Sequence, residues 1–264
     1  MNKENSKSIN GGTRINGVKK NTDITKPLLS IVTVVYNAEE TFTETIESII
    51  NHNYPNIEFI IVDGGSTDDT LNIIKKYEDK IDYWVSEKDS GIYDAMNKGL
   101  ALSTGEWIYY LGADDTLNHF DDDFIDIFSN NKNDVILARV KAIASDHTRY
   151  LPKIKVKKSD CFYWKSLGWP HQGQIIRREK HVGFDTSYNI VADNNTLLSL
   201  YLDNLNMHIS DHVIADYSLD GISTLNKEQR LKEWNRVLDA NSKKFHKFCD
   251  KFWFFLRRIQ IYIL

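Results

Sequence analysis

A chain of 264 residues, 41% hydrophobic and 12% aromatic, has the material for one substantial core and is not a disordered polypeptide. Its net charge of −4 is unevenly spread: residues 1–26 carry +4 and residues 241–264 carry +5, which leaves −13 for the body between them. An acidic body argues against a nucleic-acid-binding surface, and two distant cysteines, Cys161 and Cys249, argue against a disulfide framework or zinc site and fit a reducing, cytoplasmic setting.

The first 26 residues have lysines but no apolar core, so they do not read as a signal peptide; their Asn, Lys, Ser and Gly content reads as a disordered leader. No run in the chain approaches the roughly eighteen apolar residues of a spanning helix. From Leu28 onward strand and helix patterns alternate. "LLSIVTVVY" is a buried strand, and "AEETFTETIESIINH" a helix with Phe42, Ile46, Ile49 and Ile50 on one face. "IEFIIVD", "IDYWVSE" and "EWIYYLGADD" are further strands, separated by the helices "TDDTLNIIKKYED" and "GIYDAMNKGLALS". Such alternation predicts βαβ units and a mostly parallel sheet covered by helices on both faces.

After about Asp134 the pattern becomes more antiparallel. "DVILARVKAI", "HTRYLPKI" and "HQGQIIRRE" read as strands, "NNTLLSLYLDN" as a helix, and "HISDHVIADYSLDGIS" as one or two more strands. This second half, residues 134–240, is expected to build onto the core of residues 27–133 as one domain. The tail sets Phe245, Phe248, Phe252, Phe255, Ile259 and Tyr262 at steps of three and four among lysines and arginines. A basic amphipathic helix over 241–264 suits an anionic membrane surface, and equally suits docking on its own domain or on a second copy of the chain.

In an open α/β sheet, ligands sit beyond the carboxyl ends of the strands, which here read "VVYNAEE", "VDGGSTD", "SEKDSG" and "LGADD". In "VDGGSTDD", Asp63 can accept hydrogen bonds from a ring N–H or a ribose hydroxyl, and Gly65 beside it permits close approach to the backbone. The bland alternative is a turn in which Thr67 or Asp68 caps the next helix. In "LGADD", Asp114 and Asp115 repel one another unless solvated or neutralised by a divalent cation; the alternative is an exposed acidic turn.

Taken together, "SIVTVVYNAEETFTETIESI", "IEFIIVDGGSTDDT" and "SEKDSGIYDAMNKGLALSTGEWIYYLGADDTL" resemble the nucleotide-sugar-binding half of the family 2 glycosyltransferases, while "PHQGQIIRRE" and "GFDTSYNIVADNNTLLSL" resemble their acceptor side. The resemblance implies a GT-A fold and an inverting sugar transfer from a nucleotide donor, with Mn2+ or Mg2+ as cofactor. It sets Val35, Tyr36, Asn37 and Glu39 around the nucleoside and Asp63 on the base, most often uracil. It puts Asp94, Lys98 and Ala113 in the nucleotide-sugar pocket, Asp114 and Asp115 in the metal-binding acidic motif, and Asp193 in the place of the catalytic base. Read alone, Asp193 is better explained as the cap of a helix.

His171 is within reach of the diphosphate, the cation or the acceptor, or is structural; Arg177 and Arg178 face the diphosphate or solvent. Trp164 and Trp169 stack on acceptor sugars or fill the core. Two positions depart from the family pattern, Gly112 where an aspartate is common and Ala192 where an acid commonly precedes the base. They prompt a second reading, a catalytically degenerate binding or scaffold subunit. A sugar nucleotidyltransferase is disfavoured because "VVYNAEET" lacks a glycine-rich basic loop, and a Rossmann dehydrogenase because no Gly-x-Gly-x-x-Gly follows the first strand. The expected setting is bacterial surface polysaccharide synthesis with a lipid-linked acceptor, in the cytoplasm or on the inner face of the plasma membrane.

Overall fold

The computed structural model describes residues 8–21, 26–144, 149–150, 169–219 and 226–241. Ten strands form one sheet: β1 (Ile9–Gly11), β2 (Leu29–Val35), β3 (Ile57–Asp63), β4 (Tyr83–Ser86), β5 (Trp107–Gly112), β6 (Thr116–Leu117), β7 (Val135–Ile143), β8 (Arg149–Tyr150), β9 (Gln174–Arg177) and β10 (Met207–Ser218). The order is β1-β4-β3-β2-β5-β9-β7-β10-β6, with β8 paired to β7. Helices α1 (Phe42–Ile50), α2 (Thr70–Lys76), α3 (Ile92–Leu102), α4 (Asp122–Phe128), α5 (Ala192–Leu202) and α6 (Lys227–Asn241) cover its faces.

Side chains two apart on a strand share a face, and the core divides accordingly. Leu29 and Ile31 of β2, Phe59 and Ile61 of β3, and Trp107 and Tyr109 of β5 pack with Phe42 and Ile46 of α1 and Phe124 and Phe128 of α4. Val32, Ile60, Val62, Ile108 and Tyr110 face the other way, onto Tyr93 and Met96 of α3 and Leu197 of α5. Each fully buried aliphatic side chain contributes about 1.5–3 kcal/mol by leaving water. That is why strands with near-continuous apolar runs settle in the middle of this sheet.

β2 is parallel to both β3 and β5, and β3 is parallel to β4, as the alternation of patterns predicts. The second half is more mixed than expected. β9 runs antiparallel between β5 and β7, yet β7 and β10 are parallel. Register shifts between Ile209 and Ala215 bend β10, which spans twelve residues as one strand. A parallel neighbour needs a long crossover, and the 63 residues between Ile143 and Met207, which include α5, supply it.

The disordered leader is corrected for residues 8–21. β1 pairs antiparallel with β4 and covers what would otherwise be an open sheet edge. Arg14 forms an ion pair with Glu58 at 3.0 Å and lies 4.5 Å over the Tyr83 ring, and Lys20 pairs with Asp82 at 2.8 Å. Composition alone describes the segment without the acidic body that receives its cations. α6 was not foreseen at all. The amphipathic stretch beyond Asn241, Trp164 and most of "HTRYLPKI" lie outside the described residues.

Candidate active site

Val35 pairs with Asp63, and Val34 with Gly112, so the carboxyl ends of β3, β2 and β5 lie side by side. Above them opens a cavity of about 1290 Å³. Its walls come from Val35, Tyr36, Asn37 and Glu39 at the end of β2, from Asp89, Gly91, Ile92 and Tyr93 at the start of α3, and from Gly112 to Asp115 after β5. The opposite wall carries His171, Gln172, Asp193 and Asn194, together with Arg230, Leu231 and Trp234 of α6. Most of the residues expected from sequence therefore do converge, although they come from both halves of the chain.

The acidic loop after β3 does something other than expected. Asp63 is fully buried and does not line the cavity. Its carboxylate accepts hydrogen bonds from Ser66 N and Oγ and from Ser86 Oγ. The rest of the loop zips onto the β2 loop. Asn37 N donates to Ser66 Oγ, Thr67 N to Asn37 Oδ1, Glu39 N to Asp68 Oδ2 and Asp69 N to Glu39 Oε2. Asn37 holds φ +50° to make this contact, a conformation asparagine tolerates better than most residues.

Gly65 (φ +83°) turns the loop behind the wall rather than in it. A Cβ on Gly64 would stand 2.5 Å from Asp89 Oδ2, so that glycine makes room for a cavity-lining carboxylate from another loop.

Three further expectations are placed outside the cavity lining. Lys98 pairs with Glu87 at 2.9 Å and Asp94 at 3.6 Å and donates to Lys88 O. Burial opposes its charge, but Glu87, Asp94 and Asp89 outweigh that and raise its pKa. Asp94 also accepts from Ser90 N. Together Asp94 and Lys98 brace the loop that carries Asp89 and Gly91 into the cavity.

Arg177 is a correction. It pairs across β5 with Trp107, at the opposite end of that strand from Asp114, and is buried against Glu106, Asn133 O and the Trp107 ring. A cation there cannot face a diphosphate over the carboxyl ends. Arg178 likewise donates to Gly105 O. Trp169 is a buried anchor, bonded through Nε1 to Ala138 O.

Asp114 and Asp115 are adjacent but unequal. Asp114 is exposed on the cavity wall, whereas Asp115 is 1% exposed. Asp115 Oδ2 accepts from Gly112 N at 3.0 Å and Gln172 Nε2 at 2.8 Å, and Oδ1 accepts from Ser218 N at 3.0 Å. Burial and repulsion by Asp114 push its pKa up to about 6, against the pull of Gln172, His171 and Ser218.

Gly112 now has a physical reason. A Cβ there would lie 2.5 Å from Asp115 Oδ2 and 3.0 Å from Asp114 Oδ1, so Asp115 folds back into the space an acidic side chain at 112 would take. Among the described residues no group of three or more His, Cys, Asp and Glu forms a metal cage. The donor set fits a hard cation held by Asp114 and completed by substrate phosphates.

Asp193 stands in the first turn of α5 and is 6% exposed. No side-chain cap bond closes that helix, so the capping alternative for Asp193 fails. Instead Tyr93 OH donates to Asp193 Oδ1 at 3.0 Å, and His171 Nδ1 lies 3.8 Å from Oδ2. Burial, then the Asp193 charge, raises the Tyr93 pKa and keeps its hydroxyl a donor. Burial disfavours a charged His171, but Asp193, Asp115 and Asp114 together raise its pKa overall. Tyr93, Asp89, Gln172 and Ser218 were missed as site residues. Only Tyr93 and Asp89 carried a signal, since both lie in "KDSGIYDAMNKG" before α3 and in its first turn.

Comparisons with known proteins bear on the family and the fold. A glycosyltransferase of PGL/p-HBAD biosynthesis from Mycobacterium tuberculosis is 34% identical over 124 residues, 46% of this chain and 43% of that one. TuaG of Bacillus subtilis, a glycosyltransferase assigned to teichuronic acid biosynthesis, is 39% identical over 94 residues, 34% of this chain and 37% of its own. The matched region thus spans less than half of these relatives. Among solved structures, S. aureus TarS 1–349 in complex with UDP-GlcNAc superposes with a TM-score of 0.67 at 20% identity, covering 82% of this chain and 66% of that one. A mannosyltransferase from Pyrobaculum calidifontis, solved with GDP-Man and Mn2+, gives 0.63 at 16%, covering 86% and 68%. These neighbours share the GT-A fold. The model of "Glycosyl transferase family 2" matches residues 30–193, more than half of the sequence, and the chain belongs to that family.

Proposed function

We propose that this protein transfers a sugar from a nucleotide donor, of the UDP type, to a hydroxyl of a glycan acceptor with inversion at the anomeric carbon. One observation carries the reading: exposed Asp114 and nearly buried Asp193 share one cavity, with His171 in the same wall. The acceptor O–H attacks the anomeric carbon while the nucleoside diphosphate departs from the opposite side. Asp193 takes the acceptor proton, a step that contributes roughly 10²–10⁴-fold. Tyr93 holds one oxygen of that carboxylate so that the other faces the hydroxyl. Tyr36 and Asn37, fixed by the Ser66–Asp69 loop, present the nucleoside end of the cavity. Mn2+ or Mg2+ at Asp114 would neutralise the charge of the diphosphate.

The relatives named for PGL and teichuronic acid biosynthesis support a cell-envelope glycan as acceptor. A lipid-linked acceptor and a position on the inner face of the plasma membrane, through residues 241–264, belong to the same proposal. Among the described residues no helix is long and apolar enough to cross a membrane. The scaffold reading loses its motive, because Asp115 fills the place above Gly112 and Ala192 packs in the core.

Thermal shift against UDP-, GDP- and dTDP-sugars with and without Mn2+, followed by donor hydrolysis, tests the proposal. A UDP-sugar at 100 times its dissociation constant adds about 2.7 kcal/mol of apparent stability. A response to GDP compounds alone would refute the uridine preference, and no response with no turnover would restore the scaffold.

A further inference from the structure

Glu233 on α6 is a buried carboxylate, 4% exposed, that the chemistry above does not use. Among the described residues no cation lies within ion-pair distance of it. Its partners are donors of another kind. Oε1 accepts from Asn189 N at 3.0 Å, and Oε2 from Ile190 N at 2.8 Å and Val191 N at 3.3 Å, while Gln229 Nε2 approaches Oε1 at 3.1 Å. Three consecutive backbone N–H groups turned on one carboxylate form a concave anion site, filled here by the chain itself. α5 begins at the next residue, Ala192, and has no side-chain cap. The Glu233 charge therefore sits at the positive end of that helix dipole and stands in for the missing cap.

The same helix face is tied to this segment twice more. Arg236 donates to Ser187 O and Oγ and stacks 4.6 Å over Tyr188, and Asn241 Nδ2 donates to Asn195 Oδ1 at 3.2 Å. Residues 233, 236 and 241 follow one side of a helix. An adjoining part of α6 puts Arg230, Leu231 and Trp234 on the cavity wall opposite the β2 loop. Asn189, Ile190, Val191, Asp193 and Asn194 line the cavity as well, so the backbone Glu233 grips is itself part of the site.

We infer that Glu233 is a positioning residue for Asp193: by holding the amides of residues 189–191 it fixes the start of α5 and orients the base, so that α6 completes the acceptor side. This rests on the reading of Asp193 as base and leaves the donor side untouched.

The test compares the full-length wild type with Glu233→Gln and Asp193→Asn. Two quantities are read: amide hydrogen exchange, and Mn2+-dependent hydrolysis of the nucleotide sugar giving the largest thermal shift, starting with UDP-GlcNAc. Glu233→Gln is expected to speed exchange at 189–191 about tenfold, leave β2 to β5 unchanged, and lower kcat about tenfold with the donor KM within about twofold. Wild-type exchange and kcat would overturn the inference. So would a loss of protection across β2 to β5 with a raised donor KM, which is what a purely structural role predicts. If Asp193→Asn hydrolyses donor like the wild type, the base assignment falls and this inference with it. If Asp193→Asn is inactive while Glu233→Gln keeps wild-type exchange and kcat, Glu233 alone is wrong. Should Gln at 233 prevent folding, Glu233→Asp keeps the charge but withdraws it by one methylene, and it reads the same two quantities with the same expectations.

Discussion

The two walls of the cavity are built on different terms. On the donor side Asp63 is buried, but the loops after β2 and β3 hold one another mainly by short reciprocal bonds between exposed or half-buried groups, Asn37 with Ser66 and Thr67, Glu39 with Asp68 and Asp69. On the acceptor side the carboxylates are buried, and each depends on a partner far along the chain. Asp193 leans on Tyr93 and Glu233 on the 189–191 backbone, while Asp115, on the facing wall, is held from the second half of the chain by Gln172 and Ser218. A buried carboxylate costs several kcal/mol unless its hydrogen bonds are complete, so the acceptor wall is the less forgiving of the two. Substitutions there should act on turnover, and substitutions in the donor loops on nucleotide affinity.

The largest effect that would sharpen this contrast is at Asp193. Asp193→Asn keeps the volume and still accepts from Tyr93, but it has no carboxylate to receive a proton. Transfer and hydrolysis should fall by about 10²–10⁴-fold, while nucleotide-sugar binding, read by thermal shift, stays within about twofold. Equal losses of binding and turnover would erase the division into two walls.

The same contrast explains what was legible in the sequence. β2, β3 and β5 could be read because a strand buried on both faces needs an almost unbroken apolar run, and their carboxyl ends followed from the topology. Asp114 and Asp193 were expected from sequence, and both line the cavity. Their environments were not expected, because nothing local says that Asp115 folds over Gly112 or that Tyr93 reaches across a hundred positions. Asp63 and Arg177 were misplaced for one reason: a charged residue at a strand terminus looks the same whether it meets ligand or protein. α6 went unread because Lys227–Asn241 is mostly polar, and its helical face is defined by what Glu233, Arg236 and Asn241 touch.

Acid should loosen the acceptor side before the donor loops. The His181 ring is packed against Phe184 at 4.9 Å and Tyr110 at 5.8 Å, Nδ1 accepts from Gly183 N, and Nε2 is buried with no partner among the described residues. Burial lowers its pKa to about 4 from 6.5. The folded state therefore binds fewer protons than the unfolded chain between those values. The stability that neutral His181 protects is full above pH 6.5 and is lost as pH falls toward 4, at most roughly 3 kcal/mol. His52, on the other face of the sheet, is also lowered to about 4, by burial and by His119 against its bond to Asn118, and serves as the comparison. Urea midpoints from pH 7.5 to 4.5 should flatten in His181→Gln, and exchange at 181–191 should rise earlier in acid than at 57–70. An unchanged slope would move the acid sensitivity to His52 and the opposite face.

The smallest expected effect separates the two walls most finely, because Tyr93 belongs to both. It starts on α3, behind the donor loop of Asp89, and ends with its hydroxyl on Asp193. Tyr93→Phe deletes one oxygen from a ring that is 7% exposed and packed 5.5 Å from Phe184, so the fold should tolerate it. A hydrogen bond to a charged group contributes about 1.5–3 kcal/mol, part of which water entering from the cavity can replace. Turnover should therefore drop about tenfold, with donor KM unchanged. If donor KM rises while kcat holds, the hydroxyl acts from the donor wall and its bond to Asp193 is incidental. If kcat alone falls, a residue on the donor helix sets the geometry of the acceptor base, and the two walls are coupled through that single contact.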